Sequence, residues 1–298
     1  MVSFYSHGKL LLTGEYLVLK GANALAVPCK MGQTLNYTPS ENNSLVWKSY
    51  DLNKRLWFEA QFKVKSLELI ATSDFDIGRR LLKILKSSKA LNSNFLAAGG
   101  QVETHLEFHR SWGLGSSSTL ISNIALWANI NPYLLLENSF GGSGYDIACA
   151  QASGPLTYTR NKFDPILKSI LLNYPFSENL FFVHLNKKKD SQQAVASFDL
   201  DKVNTTLIQK INSLTTLITK CSSQSDFNSY LTTHEHIVGS LLNQRTVQEI
   251  YFPDFKGAVK SLGAWGGDFV LISGDENSPN YFEKKGYHTV IQYKDMVL

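Results

Sequence analysis

Trp112-Gly113-Leu114-Gly115-Ser116-Ser117-Ser118-Thr119 runs directly into Leu120-Ile121-Ser122-Asn123-Ile124-Ala125-Leu126-Trp127-Ala128. The second segment has the spacing of an amphipathic helix. Ahead of it, two glycines let the backbone approach a bulky anion and adopt φ > 0. Three serines bring hydroxyls and helix-capping chemistry. A helix start also offers unpaired N–H groups and the positive end of its dipole. The stretch predicts a phosphate cradle; the plainer alternative is a turn whose serines only cap the helix. It is not a Walker A loop, because no Lys-Ser or Lys-Thr follows a second glycine at the required spacing, and Ser118 breaks the Gly-x-Gly-x-x-Gly pattern.

The surrounding chain limits what such a cradle could serve. Its 298 residues suffice for two modest domains. The net charge is only +4, and the densest basic run is Lys187-Lys188-Lys189, which argues against nucleic acid as a partner and suits a small anionic substrate. Three widely spaced cysteines, Cys29, Cys149 and Cys221, with no Cys-x-x-Cys, predict neither a disulfide framework nor a zinc site. No apolar stretch approaches the roughly 18 residues of a membrane span, and the opening residues lack the order of a signal peptide. The expectation is a cytoplasmic chain with no membrane contact.

Pattern along the chain predicts strands over 9–19, 24–29, 45–50, 56–64 and 101–108, a hairpin-type connection over 36–44, and a helix over 77–87. A second glycine-rich bend, Phe140-Gly141-Gly142-Ser143-Gly144, leads into a small-residue helix over 145–152 and a strand over 156–158. The later half reads as a strand over 180–185, a long helix or helix pair over 195–220, a helix over 225–243, a strand over 269–272 and a strand pair over 287–293. Strands and helices mix without strict alternation, so the class is α+β, with a domain boundary near 160–165.

Three glycine-rich segments stand in order: Gly8-Lys9-Leu10 with Gly14-Glu15-Tyr16, then Gly113 to Ser118, then Lys260-Ser261-Leu262-Gly263-Ala264-Trp265-Gly266-Gly267-Asp268. Their order and character resemble the three signature motifs of the GHMP kinases (galactokinase, homoserine kinase, mevalonate kinase, phosphomevalonate kinase). The resemblance spans nearly the whole chain. It implies a two-domain α+β fold: residues 1–162 like the second domain of ribosomal protein S5, residues 163–298 ferredoxin-like, with the active site in the cleft between them. Gly14-Glu15-Tyr16, Asp146-Ile147-Ala148 and Gly266-Gly267-Asp268 lean toward phosphomevalonate kinase. The chain departs from the family pattern at His7, where Pro is usual, and at His109-Arg110, where prolines usually precede the loop. Trp112 and Trp265 stand where Ala or Gly is typical, and two added indoles could narrow the pocket or stack on a base.

The resemblance also implies roles. ATP and Mg²⁺ would be the cofactors. Trp112, Gly113, Leu114, Gly115, Ser116, Ser117 and Ser118 would hold the ATP phosphates, with Ser117 also a Mg²⁺ ligand. Asp146, at a helix start where the dipole favours negative charge, would act as the base toward the acceptor. Lys9 would lie beside it and polarise the acceptor oxygen, unless it is only a strand-edge lysine. Glu137 is the one carboxylate between the second motif and Asp146; it is a second Mg²⁺ ligand or a surface residue. Ser143 and Gly144 precede Asp146 on the acceptor side. Gly263, Ala264, Gly266 and Gly267 would close over the site, or merely form a tight turn. Arg110 and Lys187 are candidates for a substrate anion, Lys187 with Lys188, Lys189 and Ser191, or else part of a solvated basic loop. Glu15 would bond near the first motif. His234 and His236, at i and i+2 of a helix, do not share a face and make no metal pair. Cys149 reads as buried filler. The leading expectation is a kinase for phosphomevalonate, then mevalonate, then a sugar or sugar phosphate. A diphosphomevalonate decarboxylase or a non-catalytic binding protein of the same fold stands behind these, as monomer or homodimer.

Overall fold

The structure, a computed structural model, describes residues 1–161, 163–189 and 191–298, with only the backbone of 191 and 192. The chain divides into two compact units. One comprises Met1–Gly8, Met31–Arg110 and Leu114–Gln151; the other comprises Lys9–Lys30, Ser111–Gly113 and Ala152–Leu298. Both are thus built from separate stretches, and the second takes the first glycine-rich segment after Gly8 and the opening of the second. The expected boundary falls on Lys162, outside the described residues.

The elements in chain order begin with strands β1 (Val2–Leu11), β2 (Ala24–Ser40), β3 (Ser44–Tyr50), β4 (Leu56–Lys63) and β5 (Glu68–Thr72). Helix α1 (Phe75–Leu91), strand β6 (Gly99–Leu106) and helices α2 (Ser116–Ala128), α3 (Pro132–Ser139) and α4 (Tyr145–Ala150) follow. In the first unit, β4 pairs antiparallel with both β3 and β5, β6 runs parallel to β3, and Gln33–Ser40 of β2 pairs antiparallel with β6. Alternating residues Leu45 and Trp47 of β3, Phe58, Ala60 and Phe62 of β4, and Val102 of β6 point into one core. Leu81, Ile84 and Leu85 of α1 and Ile121, Ile124 and Ala125 of α2 fill that core from the helix side. Helix α1 starts where Asp74 accepts from the Asp76 and Ile77 N–H groups.

The second unit continues with β7 (Leu156–Thr159), β8 (Ile166–Ser169), β9 (Leu180–His184), α5 (Ser191–Ala196), α6 (Thr205–Thr219), α7 (Gln224–Leu242) and α8 (Val247–Tyr251). It ends with β10 (Ala258–Ser261), β11 (Phe269–Ser273), α9 (Ser278–Lys284), β12 (Val290–Gln292) and α10 (Tyr293–Met296). Residues Ala24–Ala26 of β2 pair with β7, and β7 pairs with β8. A separate antiparallel sheet has the order β10-β11-β9-β12. With helices between β9 and β10 and between β11 and β12, this is the β-α-β-β-α-β pattern of a ferredoxin-like sheet. Strands β9 and β11 are buried along their whole length.

Several expectations shift. The first strand covers Val2–Leu11, not 9–19, because Gly14 (φ 87°) and Tyr16 (φ 62°) turn the chain and Leu17–Lys20 form a 3-10 turn. The polar stretch 36–44 is mostly strand: its polar residues alternate on the open face of β2, which pairs with β6 through Ser40. Within 195–220 lie only the end of α5, a 3-10 turn at Leu200–Lys202 and one full helix, α6, which Asn204 caps. Only one strand forms in 287–293, and Tyr293 opens a helical turn.

Helix α2 is locked to its sheet by polar groups. Asn123 is fully buried; its amide donates to the Gln33 carbonyl (2.8 Å) and accepts from the Ser6 hydroxyl (2.8 Å). Thr119 donates to the Gln33 side chain (2.7 Å). Asn123→Ala takes the donor from the buried Gln33 carbonyl and the acceptor from the Ser6 proton, although Gln151 still donates to the Ser6 oxygen, and a buried group left unsatisfied costs about 1–3 kcal/mol. Urea denaturation is expected to show a loss of roughly 2–4 kcal/mol; a loss under about 0.5 kcal/mol, the size of an ordinary surface substitution, refutes the lock.

Candidate active site

The first unit carries the start of α2. Gly115 is its N-cap at φ 87°, and no side chain caps the N–H groups that follow. The N-cap position thus belongs to Gly115 and to none of the three serines. Leu114 is fully buried and fixes the approach. Ser117 is exposed, Ser116 half-buried and Ser118 buried. The Ser118 hydroxyl donates to Asp146 Oδ2, so the third helical residue of α2 reaches the first turn of α4. Asp146 Oδ1 accepts from the Ile147 N–H at 3.2 Å. Gly144, at φ 87°, turns the chain into α4 directly after Ser143. Tyr133, on α3, lies in the field of Cys149 and Asp146; burial first, then these two groups, push its phenol far up, so it stays protonated.

Two other residues of this unit stand apart from that constellation. Glu137 is exposed on α3. Among the described residues no cluster of three or more His, Cys, Asp or Glu could hold a metal by itself. Arg110 stacks its guanidinium on the Trp57 ring at 3.5 Å, in the field of Asp74 and Asp51.

The second unit carries the remaining candidates. Lys9 is 9% exposed, and its ammonium donates to the Gly113 carbonyl at 3.0 Å. Gly113 has φ 65°, and a Cβ there would fall 2.3 Å from the Asp268 carboxylate, so only glycine fits. Asp268 is a residue that pattern alone presents only as the last letter of the third motif. Its carboxylate accepts from the Lys189 N–H (3.2 Å), its own N–H donates to the Lys187 carbonyl (2.7 Å), and its carbonyl accepts from the Leu185 N–H (2.8 Å). Burial pushes its carboxyl up, while that N–H and the charges of Lys9, His184 and Lys188 pull it down. Asp268 thus fastens the lysine loop to the glycine loop. Lys187 itself is exposed and donates to the Tyr251 hydroxyl at 3.1 Å; the Ser191 side chain lies outside the described residues.

Neither added indole behaves alike. Trp112 packs edge-on against Phe269, ring centroids 5.6 Å apart. Trp265 is 2% exposed and sits in a core with Leu17, Ile211, Leu214 and Val238, its Nε1 donating to Glu235 (3.0 Å). Trp265 is structural and cannot stack on a base, because burial and that hydrogen bond hold its ring inside the unit.

Glu15 is held inside the same unit. It is fully buried, paired with Lys260 at 2.5 Å, and Lys260 also lies 3.2 Å from Glu235. Ser261 donates to Glu235 (2.9 Å), and Tyr16 donates to the Ala264 carbonyl (3.0 Å). Glu15 is therefore walled off from substrate and joins the first motif to the third. Gly263 and Gly266, at φ 62° and 80°, flank the pinned Ala264-Trp265 pair, and Gly267 lies against the Lys189 side chain. Cys149, like Cys29 and Cys221, is buried, and among the described residues no disulfide forms.

His234 closes the ion cluster. Its Nε2 accepts from the Gly14 N–H (3.0 Å), and burial first, then the Lys260 charge, hold it well below the usual histidine range. The folded state therefore takes up this proton later than the unfolded state as pH falls. The stability this residue contributes is present above the unfolded value near 6.5 and is lost below it. Glu15, raised by burial, acts in the opposite sense, its contribution growing as pH falls through its folded value. Between pH 6.5 and 5.5, wild type is expected to lose up to about 1.4 kcal/mol per pH unit more than His234→Gln, whose amide oxygen keeps the bond to Gly14. Parallel pH dependences of unfolding in the two proteins would overturn this account.

No protein-family profile and no curated protein sequence matches the chain. Solved structures do. The Methanococcus jannaschii mevalonate kinase is 16% identical with a TM-score of 0.66, covering 95% of this chain and 94% of its own. The Streptococcus pneumoniae phosphomevalonate kinase in complex with phosphomevalonate and AMPPNP is 14% identical with a TM-score of 0.68, covering 96% of each chain. The Lactococcus lactis galactokinase complexed with galactose is 14% identical with a TM-score of 0.66, covering 96% of this chain and 90% of its own. Identity this low speaks for architecture alone, and the architecture of this chain is the two-domain α+β fold of the GHMP kinases.

Proposed function

We propose that the chain is an ATP- and Mg²⁺-dependent phosphotransferase acting on a small anionic acceptor, most favourably phosphomevalonate. The observation that carries this reading is the uncapped start of α2 behind Gly115, with the Asp146 carboxylate tied to the same helical turn. Three N–H groups in a row, free of side-chain caps, are suited to phosphate oxygens. The nucleotide and its Mg²⁺ would supply the transferable phosphoryl group and the charge that screens it. Mg²⁺ needs only one or two protein oxygens when phosphates and water complete its shell, and the exposed Ser117 hydroxyl offers one. Glu137 is a second candidate for that role.

The chain's own residues divide the remaining work. Ser116, Ser117 and Ser118 present their N–H groups to phosphate; Gly113 and Gly115 give the backbone its turn. Lys9, bonded to the Gly113 carbonyl, brings a positive charge to the loop. Asp146 accepts the proton of an acceptor hydroxyl, or orients an acceptor phosphate. Lys187 and its neighbours, with the glycine loop 263–267, are placed in the proposal as the acceptor's anion contacts. The chain would act in the cytoplasm, alone or as a homodimer, without nucleic acid or membrane.

Mevalonate is the second reading, and the fixed Asp146 carboxylate favours it specifically. A phosphate acceptor, with a second pKa near 6, arrives largely deprotonated, whereas an alcohol needs a base. ADP release with Mg²⁺-ATP is to be measured across phosphomevalonate, mevalonate, galactose and homoserine. Asp146→Asn is expected to cost about 10²–10⁴-fold in kcat with a hydroxyl acceptor and distinctly less with a phosphate acceptor. ATP binding without turnover on any acceptor would turn the reading toward a binding protein.

A further inference from the structure

We infer that the Ser118 side chain positions Asp146 and is not itself a phosphate ligand, a role that rests on the kinase reading above. Three serines in succession look equivalent in sequence, but the helix separates them. Successive residues of an α-helix point about 100° apart. Ser117 faces outward, whereas Ser118 is 7% exposed and turned toward α4. Its hydroxyl has one proton to donate, and Asp146 Oδ2 takes it. That hydroxyl is committed within the protein, while its backbone N–H stays in the uncapped turn.

The consequence is a division of labour inside one turn. Asp146 Oδ1 meets the Ile147 N–H and Oδ2 meets Ser118, so both oxygens have a fixed direction and the carboxylate has one orientation. The turn of α2 that would cradle the donor phosphates also sets the angle of the group facing the acceptor. Rigid placement on packed helices is what an in-line transfer requires. Thr119 and Asn123 anchor the same helix to β2, so the alignment is carried by the core and not by a loop.

The experiment compares Ser117→Ala, Ser118→Ala and Ser118→Thr. Thermal melting of each variant checks that it is folded. Ser118→Ala is expected to lower kcat about 10-fold or more, the equivalent of one hydrogen bond to a charged group, with the ATP dissociation constant and acceptor KM within about twofold. Ser118→Thr, which keeps the hydroxyl, is expected to recover most of the rate. Ser117→Ala should show the reverse split, weakening Mg²⁺-ATP with less effect on kcat. A Ser118→Ala protein that loses ATP affinity in step with kcat, or keeps its full rate, overturns the inference.

A readout independent of turnover separates this inference from the kinase reading. The side-chain carboxyl carbon resonance of Asp146, assigned by its loss in Asp146→Asn, is expected to move in Ser118→Ala and return in Ser118→Thr. A resonance that stays put overturns the contact itself. A resonance that moves, in a protein that phosphorylates none of the acceptors, supports the contact and overturns the kinase reading instead.

Discussion

The Lys260 ammonium is fully buried, and the second unit is arranged around satisfying it. Taking a cation out of water costs several kcal/mol even after relaxation, and only close, well-oriented partners offset that. Glu15 and Glu235 provide them, and the Ser261 carbonyl adds a third acceptor at 2.7 Å. Each partner then fixes something else. Glu15 adjoins Gly14 and Tyr16, and Tyr16 holds the Ala264 carbonyl. Glu235, from the middle of α7, receives Ser261 and Trp265. Removing either carboxylate strands a charge and loosens the glycine loop together. That explains why a segment drawn from near the start of the chain, Lys9–Lys30, belongs to a unit otherwise made of later residues.

The first unit solves a related problem without charge. Helix α2 is buried on most of its surface, yet its inner face includes Ser118, Thr119, Ser122 and Asn123. Each finds a partner: Asp146, Gln33, Gln151 and the Ser6–Gln33 pair respectively. A purely apolar stripe would bury more hydrophobic area but would slide or rotate more easily, since apolar contacts are non-directional. The hydrogen bonds set one rotation of the helix about its axis. That rotation decides which of the three consecutive serines faces out and which faces α4.

How far the sequence could be read follows from the range of each interaction. Helices α1, α2, α4 and α7 and strands β3, β4, β6, β9 and β11 follow from local periodicity, and their observed spans agree within a few residues. So do the glycine bends, because φ > 0 is a property of one residue and its neighbours. The breaks at Gly14 and Tyr16 were hidden inside an apolar run, and the later part of β2, beyond the strand read over 24–29, was hidden because one face of it is open and polar. The ties that build the candidate site are of another kind. Ser118 and Asp146 are 28 residues apart, Asp268 and Lys189 are 79 apart, and Lys260 and Glu15 are 245 apart. A single sequence carries no trace of which serine meets which carboxylate at those separations, so Asp268 and the positioning side of Ser118 emerge only from the fold.

Trp265 shows the same limit from the opposite direction, since it violates a local rule that the sequence does display. At φ 58° it occupies left-handed backbone that costs a bulky residue roughly 1–2 kcal/mol. An indole that buries about 150–250 Å² recovers more than that at about 25 cal/mol per Å², and its bond to Glu235 adds to the gain. A third site takes part: a Cβ on Gly239 of α7 would come within 2.8 Å of the Gln244 carbonyl and 3.1 Å of the indole, so a glycine inside a helix makes room for both. Gly239, Glu235 and Trp265 therefore pack as one local group. The result is a glycine loop whose centre is held while Gly263 on one side and Gly266 and Gly267 on the other keep their backbone freedom. The bulky residue between them is the anchor of the loop.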